Sequence, residues 1–166
     1  MFFLDGRAID YVDRYDYLGH VICADLSDDA DIGEQLSRLS TVGNVLIRKF
    51  KFCYDKVKCE LFRSFCSSFY CSALWCKFKR TTINKIKVCH NNILRRLLAI
   101  PLPYSASHMF VHFNQRNFDA LLRNSIFSLK SRLFSGDNDL ILAMTSWSRY
   151  TRNPLHCHWT RCLFTN

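Results

Sequence analysis

The sequence predicts a mainly α fold, with a short N-terminal β-hairpin followed by a bundle of about five helices. Three observations predict it. Apolar residues recur every three or four positions along most of the chain beyond residue 28. The aromatic and β-branched runs with Gly turns that mark strands are confined to residues 2–23. Only five Gly and three Pro among 166 residues leave little room for long loops. With 49% hydrophobic residues the chain holds enough material for a real core, in one domain or a small domain with an appendage.

The elements follow in order. Leu4-Asp5-Gly6-Arg7-Ala8-Ile9 sets a Gly turn between apolar ends, and the β-favouring run Tyr15-Asp16-Tyr17-Leu18-Gly19-His20-Val21-Ile22 follows it. Ser27, Asp28 and Asp29 offer N-cap side chains, with Asp31 and Glu34 placing negative charge in the first turns of a helix. Ile32, Leu36, Leu39, Val42 (or Gly43) and Leu46 carry that helix over residues 29–49. A second helix is predicted over 55–76. Its two stripes, Cys59/Phe62/Cys66/Phe69/Ala73 and Val57/Leu61/Phe65/Trp75, make it the most buried of the bundle. The third, 82–99, turns Ile83, Ile86, His90, Ile93, Leu94 and Leu97 inward and stops at Pro101-Leu102-Pro103. Ser105 or Ser107 caps a short helix through Val111, and further helices span 117–134 and 140–146. Beyond Trp147 the periodicity ends. The chain therefore divides into a hairpin (1–24), a three-helix region (25–100), additional helices (101–147) and an irregular tail (148–166).

Charge narrows the partner. Residues 1–34 carry nine acids against Arg7 and Arg14, whereas the rest carries 21 Lys and Arg against five acids. A basic body with a pI near 9.2 favours a polyanionic partner, nucleic acid before membrane. Composition alone leaves open a soluble protein that is merely basic. No run of roughly 18 uncharged apolar residues is present, which excludes a membrane-spanning helix. Met1-Phe2-Phe3-Leu4-Asp5 lacks the basic region, apolar stretch and small-residue cleavage site of a secretory signal. Nine Cys, an odd number without such a signal, read as reduced, buried residues of an intracellular protein, nuclear or cytoplasmic and not secreted.

Candidate chemistry is sparse. The one Asp-Asp pair, Asp28-Asp29, is followed by a helical pattern rather than flanked by two apolar strands, so it reads as a cap and not as a metal-holding pair. Cys66, Cys71 and Cys76 are spaced by five, which rotates successive thiols apart on a helix. His156, Cys157, His158 and Cys162 put four ligand types in seven residues, but adjacent ligands rarely share one tetrahedral centre, and ordinary tail residues are the default. His108 and His112 stand four apart with no general-base Glu between them, so a polar helix face is the better reading. No phosphate loop, nucleophile elbow or Cys/His/Asn set supports a hydrolase. No catalytic residue, metal site or cofactor is expected.

The hairpin segment Tyr17-Leu18-Gly19-His20-Val21-Ile22 resembles the primer-grip motif that follows the catalytic palm in LINE-type, non-LTR retrotransposon reverse transcriptases. The similarity continues in order through Asp28–Ile32, Gly43–Phe50, Val57–Phe62, Leu74-Trp75-Cys76, Asn91–Leu98 and Ser105–Val111. It extends to the tail in Arg149-Tyr150 and in Trp159-Thr160-Arg161-Cys162-Leu163. Each motif is modestly specific; their shared order over nearly the whole chain carries the resemblance. A chain that opens directly into strand-like sequence is also what a piece of a longer protein would show.

The resemblance implies a thumb-like bundle behind a palm edge, in which Tyr17, Leu18 and Gly19 grip the primer and basic helices track an RNA/DNA duplex backbone. In the third helix Lys85, Asn92 and Arg96 fall within roughly 20–40° of one another at 100° per residue, a phosphate-facing strip. Arg48, Lys49 and Lys51, then Lys77, Lys79 and Arg80, form further basic clusters at helix ends, where a solvated face or a dipole complement is the plainer reading of each. The parent polymerase uses Mg ions held by an aromatic-Ala-Asp-Asp turn and an earlier Asp, ligands this sequence lacks. The implied role is binding without catalysis. A hairpin without its palm would expose strand edges and self-associate. The alternative is a helical protein-interaction module, or the functionless product of a truncated element.

Overall fold

In the computed structural model, which describes residues 2–146 and 152–164, the chain opens with two separate hairpins rather than one. β1 (Phe2–Leu4) pairs antiparallel with β2 (Arg7–Ile9), and β3 (Arg14–Tyr17) with β4 (His20–Cys23). Both turns hold two residues at positive φ, Asp5-Gly6 and Leu18-Gly19. That geometry twists with the paired strands and so favours tight hairpins. Glycine adopts it freely, whereas Leu18 at φ 50° does so against its own Cβ.

Seven α-helices follow among the described residues, so the chain is mainly α with strands only at its N-terminal end. They are α1 (Asp29–Lys49), α2 (Asp55–Cys66), α3 (Arg80–Leu97), α4 (Ala106–His112), α5 (Phe118–Ser135), α6 (Asp139–Ser146) and α7 (Pro154–Phe164). None is long and apolar enough to cross a membrane.

Two expectations about the helices are corrected. The second helix stops at Cys66 rather than near residue 76. Ser67 and Ser68 compete poorly as helix interior, Cys71 turns left-handed (φ 54°), and a short 3-10 turn covers Ser72–Leu74. The apolar residues beyond Cys66 serve three different neighbours instead of one stripe. Phe69 meets His90 and Phe118, Ala73 meets the α5–α7 contact, and Trp75 meets Asp31. Val57 and Phe65 are exposed, so α2 is not the most buried helix. α3 packs against α1, α2 and α5.

The second correction is the tail. Residues 154–164 form α7, with Pro154 at its first position and Asn153 Oδ1 accepting the Leu155 N–H at 2.9 Å. Trp159 is buried there beside Ala73 and Ile126, and its indole N–H donates to the Ala73 carbonyl at 2.7 Å. Trp147, Arg149 and Tyr150 lie outside the described residues. Of the nine cysteines only Cys59 and Cys66 are buried, and Cys157 is exposed.

The core joins Ile32, Leu39 and Leu46 of α1 to Phe62 of α2, Ile86, Ile93, Leu94 and Leu97 of α3, Met109 and Phe110 of α4 and Phe118 of α5. α1 and α3 run parallel. Their partners step along together: Asp29 with Lys79, Ser40 with Cys89, Gly43 with Ile93, Asn44 with Arg96. A Cβ on Gly43 would sit 2.5 Å from Ile93, so glycine there allows the close approach of the two helices.

His90 occupies the middle of this core. Its ring stacks on Phe110 at 5.6 Å and 4° and lies 4.8 Å from Phe62, while neither ring nitrogen has a hydrogen-bond partner among the described residues. Burial pushes its pKa down to about 4. The unfolded chain takes up this proton below pH ~6.5 while the folded chain resists it until about 4. Stability from neutral His90 is therefore full above pH ~6.5 and is lost as pH falls toward 4. His90→Leu should shrink the loss of unfolding free energy between pH 7 and 4.5 by about 2 kcal/mol. Urea titrations at the two pH values measure it, and an undiminished loss would contradict this origin.

Candidate nucleic-acid interface

The site begins at the acidic turn that starts α1. Asp28 takes the N-cap position, yet its side chain bonds no amide of α1. Its Oδ2 accepts the backbone N–H groups of Cys76 and Lys77, each at 2.8 Å, while its own N–H donates to the Lys77 carbonyl at 2.8 Å. Asp29 Oδ1 accepts the Lys79 N–H at 3.0 Å, at the N-cap of α3. The sequence casts Asp28 and Asp29 as caps of their own helix; in the structure they cap the entry to the other one. The physical reason is demand. The amides of 76–79 enter a helix with no acceptor of their own nearby, and the carboxylates lie across from them. At Asp29, burial alone would raise the pKa, but hydrogen bonds from Thr82, the Lys79 amide and Ser27 outweigh it and hold the carboxyl below its usual value.

Asp31 is the buried member, 1% exposed. It accepts the Trp75 indole N–H at 2.7 Å and the Val21 N–H at 3.1 Å, and His20 Nδ1 stands 3.2 Å from the same oxygen that Trp75 reaches. From the first turn of α1 it also fastens β4 and the 3-10 turn to that helix. Arg14 adds an ion pair to Glu34, so the β3–β4 hairpin is docked on α1 without a palm domain. Tyr17 and Leu18 nonetheless remain exposed at its tip, and the Gly19 backbone passes the Tyr70 ring, 3.7 Å from where a Cβ would stand.

Between the parallel helices α1 and α3 runs a groove of about 620 Å³. Lys85, Asn92 and Arg96 line it from α3, together with Asn84, and Ser40 and Asn44 line it from α1. None of the lining residues is acidic. Arg96 Nη1 reaches Asn44 Oδ1 at 3.4 Å, and neither Lys85 nor Arg96 pairs with a carboxylate among the described residues. Their neighbours are committed elsewhere. Arg95 donates to the carbonyls of Leu102 and Tyr104 at 2.8 and 3.0 Å, and Lys87 pairs with Asp119. The twelve residues from Lys85 to Arg96, eleven helical steps, span roughly 16 Å of helix axis.

The structure thus brings together Lys85, Asn92 and Arg96 and leaves the other predicted residues apart. Arg48 and Lys49 are exposed in the last turn of α1, and Lys51 follows with its ammonium 5.6 Å from the Phe52 ring centre. Lys79 and Arg80 are exposed at the start of α3, and Lys77 Nζ donates to the Asp25 carbonyl at 2.6 Å. Because α1 and α3 are parallel, these clusters flank opposite ends of the helix pair. Neither lines the groove, and nor do Tyr17, Leu18 and Gly19. Sequence reasoning missed Ser40, Asn44 and Asn84. The first two stand four residues apart on α1, a polar stripe that periodicity aimed at apolar residues passes over.

In α7, Cys162 Sγ lies 3.3 Å from His158 Nε2, and the ring of His158 meets Phe78 edge-on. Burial pushes the Cys162 thiol up and the His158 imidazole down. Among the described residues no group of three or more His, Cys, Asp and Glu side chains converges on a metal position. The chain matches no family model, no curated protein and no solved structure.

The turn makes a direct prediction. Asp28→Ala removes the acceptor of two part-buried amides and should lower unfolding free energy by about 2 kcal/mol. Asp28→Asn keeps a carbonyl acceptor and should cost about half as much. Equal losses in urea titrations would mean that acceptance by this side chain does not matter.

Proposed function

We propose that this chain is a non-catalytic holding segment related to LINE-type reverse transcriptases, and that it grips the backbone of an RNA/DNA template–primer duplex along the α1–α3 groove. The observation that carries this reading is the groove itself. It is open and free of acid, and its two cations have no carboxylate partner among the described residues. Backbone phosphates ask for cations and neutral donors without a fixed base pattern, and Lys85, Arg96, Asn92, Asn44 and Ser40 supply them. The groove's roughly 16 Å corresponds to about five base steps along a duplex axis. A role in holding rather than chemistry agrees with the acidic turn, where Asp28, Asp29 and Asp31 spend their oxygens on N–H donors of the fold. The Mg ions of a parent polymerase would belong to a part this chain does not supply. An intracellular site, nuclear or cytoplasmic, goes with that reading.

A second reading has one observation in its favour. α6 buries none of its residues and exposes Leu140, Leu142 and Met144, the surface of a helical protein-interaction module. A salt series decides between them. Anisotropy titration with a labelled RNA/DNA primer–template duplex should give affinity that falls with salt. Lys85→Glu with Arg96→Glu should weaken binding at least ten-fold at low salt and reduce the log–log salt slope by about 2. Unchanged binding by the double variant would overturn the groove, and a wild-type chain that binds no duplex at low salt would favour the protein partner.

A further inference from the structure

A second cationic depression lies away from the groove and shares none of its lining. Two adjoining cavities of about 520 and 250 Å³ meet at Ser67, Arg116 and Leu121, between the end of α2 and the first turns of α5. Arg63 enters from one side and Arg132 from the other, with the hydroxyl of Ser125 and the amide of Asn124 on the wall. No lining residue is acidic. The arginines differ in commitment. Arg63 is held by Glu60 at 3.0 and 3.1 Å and reaches the Asn114 carbonyl at 3.5 Å. Arg132 Nε donates to the Ser128 carbonyl at 3.4 Å, which leaves its terminal nitrogens for other acceptors. Arg116 makes no hydrogen bond or ion pair among the described residues, so its guanidinium is available to an incoming anion.

We propose that this depression is a second phosphate-binding site, which takes a phosphodiester of the nucleic-acid strand apart from those held by the α1–α3 groove. Guanidinium forks and hydroxyls match the several oxygens of a phosphate. The mostly polar lining offers no broad apolar wall for a base to bury against. A backbone phosphate satisfies Arg116 without asking for one. The inference rests on the proposed duplex-binding function and adds a second point of contact to it, separated from the first by the core of α3.

The test uses the full chain and a labelled RNA/DNA primer–template duplex in a salt series, with Arg116→Gln/Arg132→Gln compared with Lys85→Glu/Arg96→Glu. Both arginines are exposed, so thermal midpoints of the Gln variant should match wild type. Its affinity near 0.1 M salt should fall five- to twenty-fold, with a salt slope smaller by about 2, and the losses of the two double variants should add when combined. If the Gln variant binds like wild type while the groove variant loses affinity, this site falls and the groove stands. If the Gln variant loses affinity while the groove variant does not, the depression stands and the groove falls. A wild-type chain that binds no duplex removes both.

Discussion

Everything downstream depends on the carboxylates at the start of α1. Asp31 is a buried carboxyl group, and a buried polar group persists only where hydrogen bonds replace the water it has lost. It receives them from two distant parts of the chain, the Val21 amide of β4 and the Trp75 indole. Asp28 and Asp29, one turn earlier, do the same for the segment that leads into α3. One short acidic turn therefore gathers the second hairpin, α1, the 3-10 turn and α3 at a single point. The asymmetry of charge in the sequence has a structural use, because the acid of the first 34 residues is partly consumed as internal acceptor.

That gathering point dictates direction. With Asp28 and Asp29 bound to residues 76–79, α1 and α3 must begin side by side and run the same way. The chain between them, α2 and the turn after it, has to travel back the length of α1. Parallel helices place α1's last turn, with Arg48 and Lys49, and α3's last turn, with Arg95 and Arg96, at the same end. Gly43 brings the pair close at Ile93, and toward solvent the helices part into the groove, lined by polar residues of both and by Val88, Cys89 and Ile93 of α3.

Much of this frame is legible in the sequence, and the exceptions have physical causes. α1 spans the predicted residues, and Ile86, His90, Ile93, Leu94 and Leu97 are buried as their spacing requires. Lys85, Asn92 and Arg96 are legible too, because helix geometry alone aligns them. Contacts distant in sequence are not. The end of α2 is decided by where Phe69, Ala73 and Trp75 must go, which periodicity along one helix does not encode. α7 is short, and its weak pattern forms a helix because Trp159 finds a cavity beside Ala73 and Ile126, more than 30 residues away from either. Asp31 reads as a first-turn acid until Trp75 and Val21 are seen around it. The arginines of the second depression come from α2, the α4–α5 connection and α5, so no single segment reveals them.

The central claim is that the open cations between α1 and α3 meet nucleic-acid phosphate. Lysine acetylation of the full chain, read residue by residue by mass spectrometry with and without a saturating RNA/DNA primer–template duplex, tests it most directly. The account predicts that the duplex slows modification of Lys85 several-fold while leaving Lys56, remote from the groove on α2, unchanged. Lys85 modified at the same rate in both conditions would contradict it.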